Sequence, residues 1–141
     1  MASQSTNLSA QALETLLEAA RQAAAHAYAP YSRFRVGAAL QLTGGEVVTG
    51  ANVENASYGL TICAERSALV RAVSQFGPTI RIAAVAVTNL NQMPSPPCGA
   101  CRQMLAEFVE PGAQVIFPAE NGVRTMAFGE LLPAGFGLKL E

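Results

Sequence analysis

Three cysteines are the residues with the most distinctive chemistry in this chain of 141 residues, and the sequence contains no others. Cys98 and Cys101 form a Cys-Gly-Ala-Cys motif, and Cys63 lies well upstream of it. Three thiols cannot all pair as disulfides, whereas thiolates are strong ligands for zinc. The sequence therefore predicts a metal site, with thiol redox chemistry at Cys98 and Cys101 as the alternative.

The number of candidate ligands indicates what kind of zinc site this is. A Cys-x-x-Cys pair in the first turn of a helix can present both sulfurs to one ion, and Cys63 is the remaining thiol. Three protein ligands leave tetrahedral zinc one position short, which is typical of catalytic rather than structural sites. We expect one zinc ion per subunit. The only histidine, His26, falls late in a predicted helix, where nothing local makes it a ligand.

Glu65 follows Cys63 by two residues and is the candidate catalytic residue. At that offset in a first helical turn, a carboxylate can lie beside the metal without binding it. One carboxylate can act as base and then as acid in the same reaction. The alternative is an anion that only stabilises the start of a helix.

Arg66 and Arg102 each come directly after a cysteine motif. Three thiolates on a divalent ion leave one net negative charge, which opposes loss of a proton from a bound water. We expect both arginines to donate hydrogen bonds to the sulfurs and offset that charge. A solvated helix charge is the alternative, especially for Arg102.

The elements that position these residues follow from periodicity, caps and turn residues. Ser9 can cap a first helix, and Gly77-Pro78 and Pro111-Gly112 are expected to end the second and third. The predicted helices are residues 10–27, 63–73, 98–109 and 128–132, and the predicted strands are residues 34–42, 47–52, 80–87, 114–117 and 123–127.

This order predicts an α/β fold: a three-layer α/β/α domain over residues 1–141, with a mixed sheet of about five strands. The cysteine motifs fall at the starts of helices that follow strands or loops, where such sheets place their sites.

Composition limits the partners. Half of the residues are hydrophobic and 13% are charged, which suggests that another subunit covers part of the surface. A formal net charge of -1 argues against nucleic acid and anionic membrane as partners. Residues 1–8 lack a signal-like pattern, and no apolar run is long enough to cross a bilayer, so we expect a cytoplasmic protein.

The cysteine and glutamate pattern resembles the zinc deaminase signature, with cysteine in place of the histidine of many members. The wider sequence is similar to the small cytidine deaminases of nucleoside salvage over most of the chain. The blocks that carry this similarity are residues 31–39, 52–66, 97–103 and 131–133, together with Phe136.

The resemblance implies a cytidine deaminase-like fold and hydrolytic deamination of cytidine and deoxycytidine at C4, with Glu65 protonating N3 and then the departing amine. It places Phe34 against the base, Asn52 and Glu54 at the ribose, and the Ala64 backbone at the base amide. Weaker assignments are Tyr31, Tyr58 and Phe136, near substrate or subunit contacts. It further implies a homotetramer with sites near subunit interfaces.

Other functions stay open at this point. Besides a redox enzyme, the second alternative to a deaminase is a structural zinc module that binds a partner. Among deaminases, one that acts on a cytosine-containing antibiotic shares the metal motif, although the blocks around Phe34 and Asn52 favour a nucleoside. Polynucleotide editing is disfavoured by the charge balance, and because Glu54 near the 3′-hydroxyl would repel a continuing phosphate.

Overall fold

The computed structural model describes residues 7–138. Most of the N-terminal segment used for the cytoplasmic prediction, and both ends of the predicted domain, lie outside this range. The helices are α1 (Ala10–Ala24), α2 (Ala64–Phe76), α3 (Gly99–Ala106) and α4 (Phe128–Leu131), and the strands are β1 (Val36–Leu42), β2 (Val47–Ala51), β3 (Ile82–Asn89), β4 (Val109–Ala119) and β5 (Gly122–Ala127).

Five strands form one mixed sheet in the order β2-β1-β3-β4-β5. β1 is antiparallel to β2 and to β3, β3 is parallel to β4, and β4 is antiparallel to β5. Every residue of the central strand β3 is buried, which explains its almost uninterrupted aliphatic sequence. The prediction of a mixed sheet of about five strands is confirmed.

The two faces of the sheet carry separate cores because side chains alternate along each strand. On one face, Leu13, Leu16 and Ala20 of α1 pack against Ala39, Ala84, Ala86 and Ile116. On the other face, Ala68 and Leu69 of α2 and Leu105 of α3 pack with Leu40, Val85, Val87 and Val115. Helices therefore cover both sides of the sheet, and the predicted three-layer arrangement is confirmed.

The predicted bounds of several elements are off by a few residues, and the largest error lies where the third helix meets the fourth strand. The third helix ends at Ala106, not at residue 109, and β4 begins at Val109 and runs through Pro111 and Gly112. Val109 pairs with Ile82, and the register then shifts before Ala84 pairs with Gln114. Pro111 and Gly112 thus sit in an irregular part of a strand, where a residue without an amide proton and a glycine with φ of 84° are tolerated.

Two glycines let the helices approach the sheet closely. A Cβ at Gly37 would lie 1.9 Å from the Ala20 carbonyl oxygen, and one at Gly50 would lie 2.4 Å from the Ala68 amide nitrogen. Such distances are impossible for a real side chain, so β1 and β2 need glycine there. Gly50 lies near the end of β2 and so fixes the position of α2 beside the residues that follow this strand.

Within residues 7–138, no helix combines the length and the apolar character that spanning a membrane would require.

Candidate active site

The three cysteine sulfurs converge at the start of two helices. Cys63 is the N-cap residue of α2, and Cys98 is the N-cap residue of α3, with Cys101 in the first turn of the same helix. The Sγ atoms of Cys63 and Cys98 are 3.7 Å apart, and those of Cys98 and Cys101 are 3.2 Å apart. All three sulfurs lie within 4.8 Å of one another, and all three cysteines are free thiols.

Charge in this cluster is balanced by an arginine. Nη2 of Arg66 lies 3.7 Å from the Cys63 sulfur and 3.4 Å from the Thr61 carbonyl oxygen. A hydrogen bond from Cys101, with others from Arg66 and Cys98, lowers the pKa of the Cys63 thiol to about 5. The shared hydrogen bond with Cys63, together with burial, raises the pKa of the Cys101 thiol. The site therefore favours thiolate at Cys63, as a metal ligand requires.

The cluster fits a zinc ion. Zn–S bonds of about 2.3 Å at tetrahedral angles separate two sulfurs by roughly 3.8 Å, close to the distance between Cys63 and Cys98. The donors are soft thiolates at helix N-termini, whose partial positive charge stabilises the anionic form. Among residues 7–138, this is the one group of three potential ligands close enough to share an ion. His26 is exposed and does not belong to it.

Glu65 lies in the first turn of α2 with only 3% of its surface exposed. Burial raises the pKa of its carboxyl to about 7, and the neighbouring Cys63 charge acts in the same direction. The backbone amides of Glu65 and Cys98 oppose this by hydrogen bonding to the carboxylate. A buried carboxyl with a pKa near neutrality can both accept and release a proton, so the surroundings suit the predicted shuttle.

The two arginines differ in what they contact. Arg66 donates to the Cys63 sulfur as predicted, and its Nε is buried without a hydrogen-bond partner in the described part of the chain. Arg102 instead donates to the carbonyl oxygens of Pro97 at 2.7 Å and Leu131 at 2.9 Å. The predicted contact between Arg102 and a sulfur is thus corrected: the side chain ties the loop before Cys98 to α4, because two carbonyl oxygens lie within its reach.

A cavity of about 250 Å³ opens beside the sulfur cluster. This volume is close to the lower end of the range for small-molecule sites, about 300 to 1,000 Å³. Eight of the residues singled out in the sequence line it: Phe34, Asn52, Glu54, Tyr58, Cys63, Ala64, Glu65 and Cys98. Residues distant in sequence therefore meet in one concave site, with Glu65 and two sulfurs among its walls.

Asn52 holds the segment before β1 that carries Phe34. Its Oδ1 accepts the Val36 amide and its Nδ2 donates to the Phe34 carbonyl, both at 2.8 Å. This buried amide therefore fixes the backbone on either side of the aromatic ring while also facing the cavity.

Glu54 is buried and lines the cavity two residues beyond Asn52. Its Oε1 accepts the backbone amides of Tyr31 at 3.0 Å and Ser32 at 3.1 Å, and its Oε2 accepts the Ser32 hydroxyl. The Ser32 hydroxyl and these amides lower the pKa of the Glu54 carboxyl. The side chain is thus held as a carboxylate, an acceptor of hydrogen bonds facing the cavity.

Two of the residues predicted to contact the substrate lie at the edge of the cavity or outside it. Tyr58 lines the cavity but is 70% exposed, and Phe136 is 72% exposed and does not line it. The Phe136 carbonyl accepts from Gln103, which fixes the chain near α3. Both aromatic rings present large apolar surface on this chain.

Sequence reasoning missed several lining residues. Ser32 lies inside the 31–39 block and bonds directly to Glu54, so a motif signal was available for it. Ser95 and Pro96 come from an irregular loop whose sequence has no period. The full set that was missed comprises Ser32, Val36, Thr61, Val87, Ser95 and Pro96.

The fold and the site together define a class of protein. Three thiolate ligands at two helix N-termini, beside a buried carboxyl, are the arrangement of a zinc hydrolase with an open coordination position. Residues 10–117 match the family model described as the cytidine and deoxycytidylate deaminase zinc-binding region. The chain belongs to this deaminase family.

Individual relatives agree with that assignment. A cytidine deaminase of Halalkalibacterium halodurans is 47% identical over 124 residues, 87% of this chain and 92% of the relative. One from Mycobacterium tuberculosis is 49% identical over 119 residues, covering 84% and 85% of the two chains. The crystal structure of a cytidine deaminase from Burkholderia pseudomallei superposes with a TM-score of 0.78 at 45% identity, over 92% of this chain and 100% of that one.

Proposed function

We propose that this protein catalyses the zinc-dependent hydrolytic deamination of cytidine and deoxycytidine in nucleoside salvage, giving the uridine nucleosides and ammonia. The observation that carries the proposal is the meeting of Glu65, two cysteine sulfurs, Phe34 and Glu54 in one cavity. Relatives at 47–49% identity are cytidine deaminases. The reaction exchanges the C4–N bond of the pyrimidine for a C4–O bond, with one water consumed.

Cys63, Cys98 and Cys101 would hold the zinc ion. When bound, zinc supplies a Lewis acid whose open position lowers the pKa of a water molecule. The Arg66 guanidinium beside the Cys63 sulfur withdraws part of the thiolate charge and so supports this chemistry.

Glu65 would move the protons. Its carboxylate accepts a proton from the attacking water and delivers it to N3 of the pyrimidine. It then takes the remaining hydroxyl proton and passes it to the amino group at C4, which leaves as ammonia. The 3% exposure of Glu65 restricts access of bulk water, so the proton stays between the carboxyl and the substrate.

Phe34, Asn52 and Glu54 would orient the nucleoside. The Phe34 ring offers an apolar face to the base, and the Ala64 backbone would bond to the base amide. The Glu54 carboxylate and the Asn52 amide would accept from and donate to a ribose hydroxyl. Arg102 would act on the metal site only through the loop before Cys98, by its hydrogen bond to the Pro97 carbonyl.

The cavity favours a nucleoside over a polynucleotide. Among the described residues, those lining it include Glu54 and Glu65 but neither lysine nor arginine. A phosphate at the ribose end would meet the Glu54 carboxylate without a compensating cation. Efficient deamination of a single-stranded oligonucleotide would contradict this choice of substrate.

Oligomeric state and compartment extend the proposal. Tyr28, Tyr31, Tyr58, Leu60 and Phe136 are each more than half exposed, and burial of these side chains between subunits supports a homotetramer. Three free thiols suit the reducing cytoplasm. We also propose that residues 1–141 form a single deaminase domain, because both core clusters share one sheet.

Metal removal tests the function directly. The purified protein should convert cytidine to uridine, lose this activity when a chelator strips the zinc, and regain it when zinc is restored. The measurement is uridine production followed by chromatography, with circular dichroism to verify folding. A zinc-loaded, folded sample that produces no uridine would contradict the proposal and favour the antibiotic-deaminase or non-catalytic alternatives.

Substitution of Glu54 tests the ribose contact. Glu54→Gln keeps the side-chain shape but removes the charge, so a ribose hydroxyl loses a charge-assisted hydrogen bond. We expect kcat/KM for cytidine to fall roughly 10- to 100-fold, mainly through KM, with zinc retained. Glu46→Gln, in the exposed turn between β1 and β2, is the matched control. An unchanged kcat/KM in Glu54→Gln would refute the assignment.

A further inference from the structure

The loop that follows β3 holds the segment that carries Phe34. This loop, residues 90–95, connects β3 to the residues that precede Cys98. Asn91 in the loop accepts the Arg35 amide through Oδ1 at 3.2 Å and donates to the Arg33 carbonyl through Nδ2 at 3.1 Å. The side chain is exposed and does not line the cavity.

These bonds complement those of Asn52. Along an extended segment, successive backbone groups point to opposite sides. Asn52, which follows β2, binds the Phe34 carbonyl and the Val36 amide at one edge of the segment, and Asn91, which follows β3, binds the Arg33 carbonyl and the Arg35 amide at the other edge. Two asparagine side chains therefore hold the backbone of four successive residues, one of which is Phe34, from both edges.

The segment around Phe34 contains a residue in an unfavourable backbone conformation. Arg33 has φ of 60°, a left-handed conformation that residues other than glycine seldom adopt, and it immediately precedes Phe34. Such a conformation persists where surrounding bonds hold it. The Arg33 amide donates to the Ala29 carbonyl, and Asn91 binds its carbonyl, so both of its polar backbone groups are fixed.

The loop itself is anchored independently of the Asn91 side chain. Oδ1 of the buried Asn89 accepts the amides of Asn91 at 2.9 Å and Met93 at 3.2 Å, and its Nδ2 donates to the Ser95 hydroxyl at 2.8 Å. Ser95 lines the cavity on the side of Cys98. The loop thus joins the Phe34 wall to the wall that carries the metal ligands.

We propose that Asn91 is a positioning residue for nucleoside binding, which acts through the Arg33–Arg35 backbone to hold Phe34 at the substrate. The identity of the substrate in this inference rests on the proposed function. The positioning role of Asn91 rests on its two hydrogen bonds to the backbone of Arg33 and Arg35. Because the reacting groups do not depend on Asn91, its loss weakens binding and leaves the chemical step intact.

Asn91→Ala is the test. We expect KM for cytidine and Kd for uridine, measured by calorimetry, to rise about three- to tenfold, with kcat, zinc content and Tm near those of the wild type. Asn91→Asp keeps an oxygen acceptor for the Arg35 amide and should recover part of the loss. It also carries the test if Asn91→Ala does not fold. Asn121→Ala, in the exposed turn between β4 and β5, is the control.

Hydrogen exchange supplies a readout that does not require activity. The amides of Phe34 and Val36 bond to Ser32 and Asn52, not to Asn91. Faster exchange at these two amides in Asn91→Ala would show that the Asn91 hydrogen bonds stabilise the whole segment. Wild-type KM, Kd and exchange in this variant would overturn the inference. A wild-type protein that leaves cytidine unchanged would refute the proposed function instead. The exchange result would still show whether Asn91 stabilises the segment that carries Phe34.

Discussion

Glu65→Ala is expected to abolish nearly all turnover of cytidine while the protein keeps its zinc. The carboxyl is buried in the cavity wall, two residues from Cys63, and it is not needed as a metal ligand because three cysteines already converge. Loss of a positioned acid and base lowers kcat by roughly 10²- to 10⁴-fold. Steady-state kinetics and metal analysis on the same preparation provide the two measurements.

Two controls make the Glu65 result specific. Glu65→Gln keeps the volume of the side chain and should lose turnover as Glu65→Ala does, which separates proton transfer from packing. Glu14→Gln, on the exposed face of α1, should retain normal kinetics. A Glu65→Ala enzyme with a near-normal rate would eliminate the shuttle, and zinc loss in Glu65→Gln would mean that the carboxylate serves the metal instead.

Cys101→Ala is expected to lose bound zinc, and with it all detectable deamination. Cys101 is completely buried in the first turn of α3, and its sulfur lies 3.2 Å from that of Cys98. Two thiolates make a poor site for zinc, and because metal binding stabilises the fold, Tm should fall as the metal is lost. Metal analysis after dialysis and thermal unfolding with and without added zinc measure these effects.

The control for this variant uses the same helix. Met104→Ala removes an exposed thioether side chain from α3, and it should keep zinc and activity. If Cys101→Ala retained one zinc per chain and normal turnover, the three-thiolate site would be wrong. If chelation left wild-type activity intact while the thiols cycled with a disulfide, the redox alternative would gain support.

Much of the fold could be predicted because its signals are local. The Ser9 hydroxyl accepts the Ala12 amide at 3.1 Å, as its position before a helical pattern indicates. The turn at residues 43–46 joins two antiparallel strands, and β3 is aliphatic because both of its faces are buried. The error at Pro111 has a non-local cause, since only pairing with β3 makes that segment a strand.

Some residues of the candidate site could be predicted from their chemistry, some only from the resemblance, and some not at all. Thiol chemistry identified Cys63, Cys98 and Cys101, because no other residues of the chain can supply such ligands. The resemblance to the deaminases assigned Phe34, Asn52 and Glu54, whose roles remain predictions. Arg102 could not be placed, since its reach to the Pro97 and Leu131 carbonyls depends on where α4 packs.

The sequence by itself thus determined the candidate metal ligands, the starts of the helices that carry them and the succession of helices and strands along the chain. Those features depend on residue chemistry and on neighbours within a few positions. The tertiary structure alone decided that the N-termini of α2 and α3 meet, and that Asn91 grips the segment beside Phe34. Such contacts join irregular segments far apart in the chain, and a hydrogen bond between them leaves no periodic pattern in the sequence.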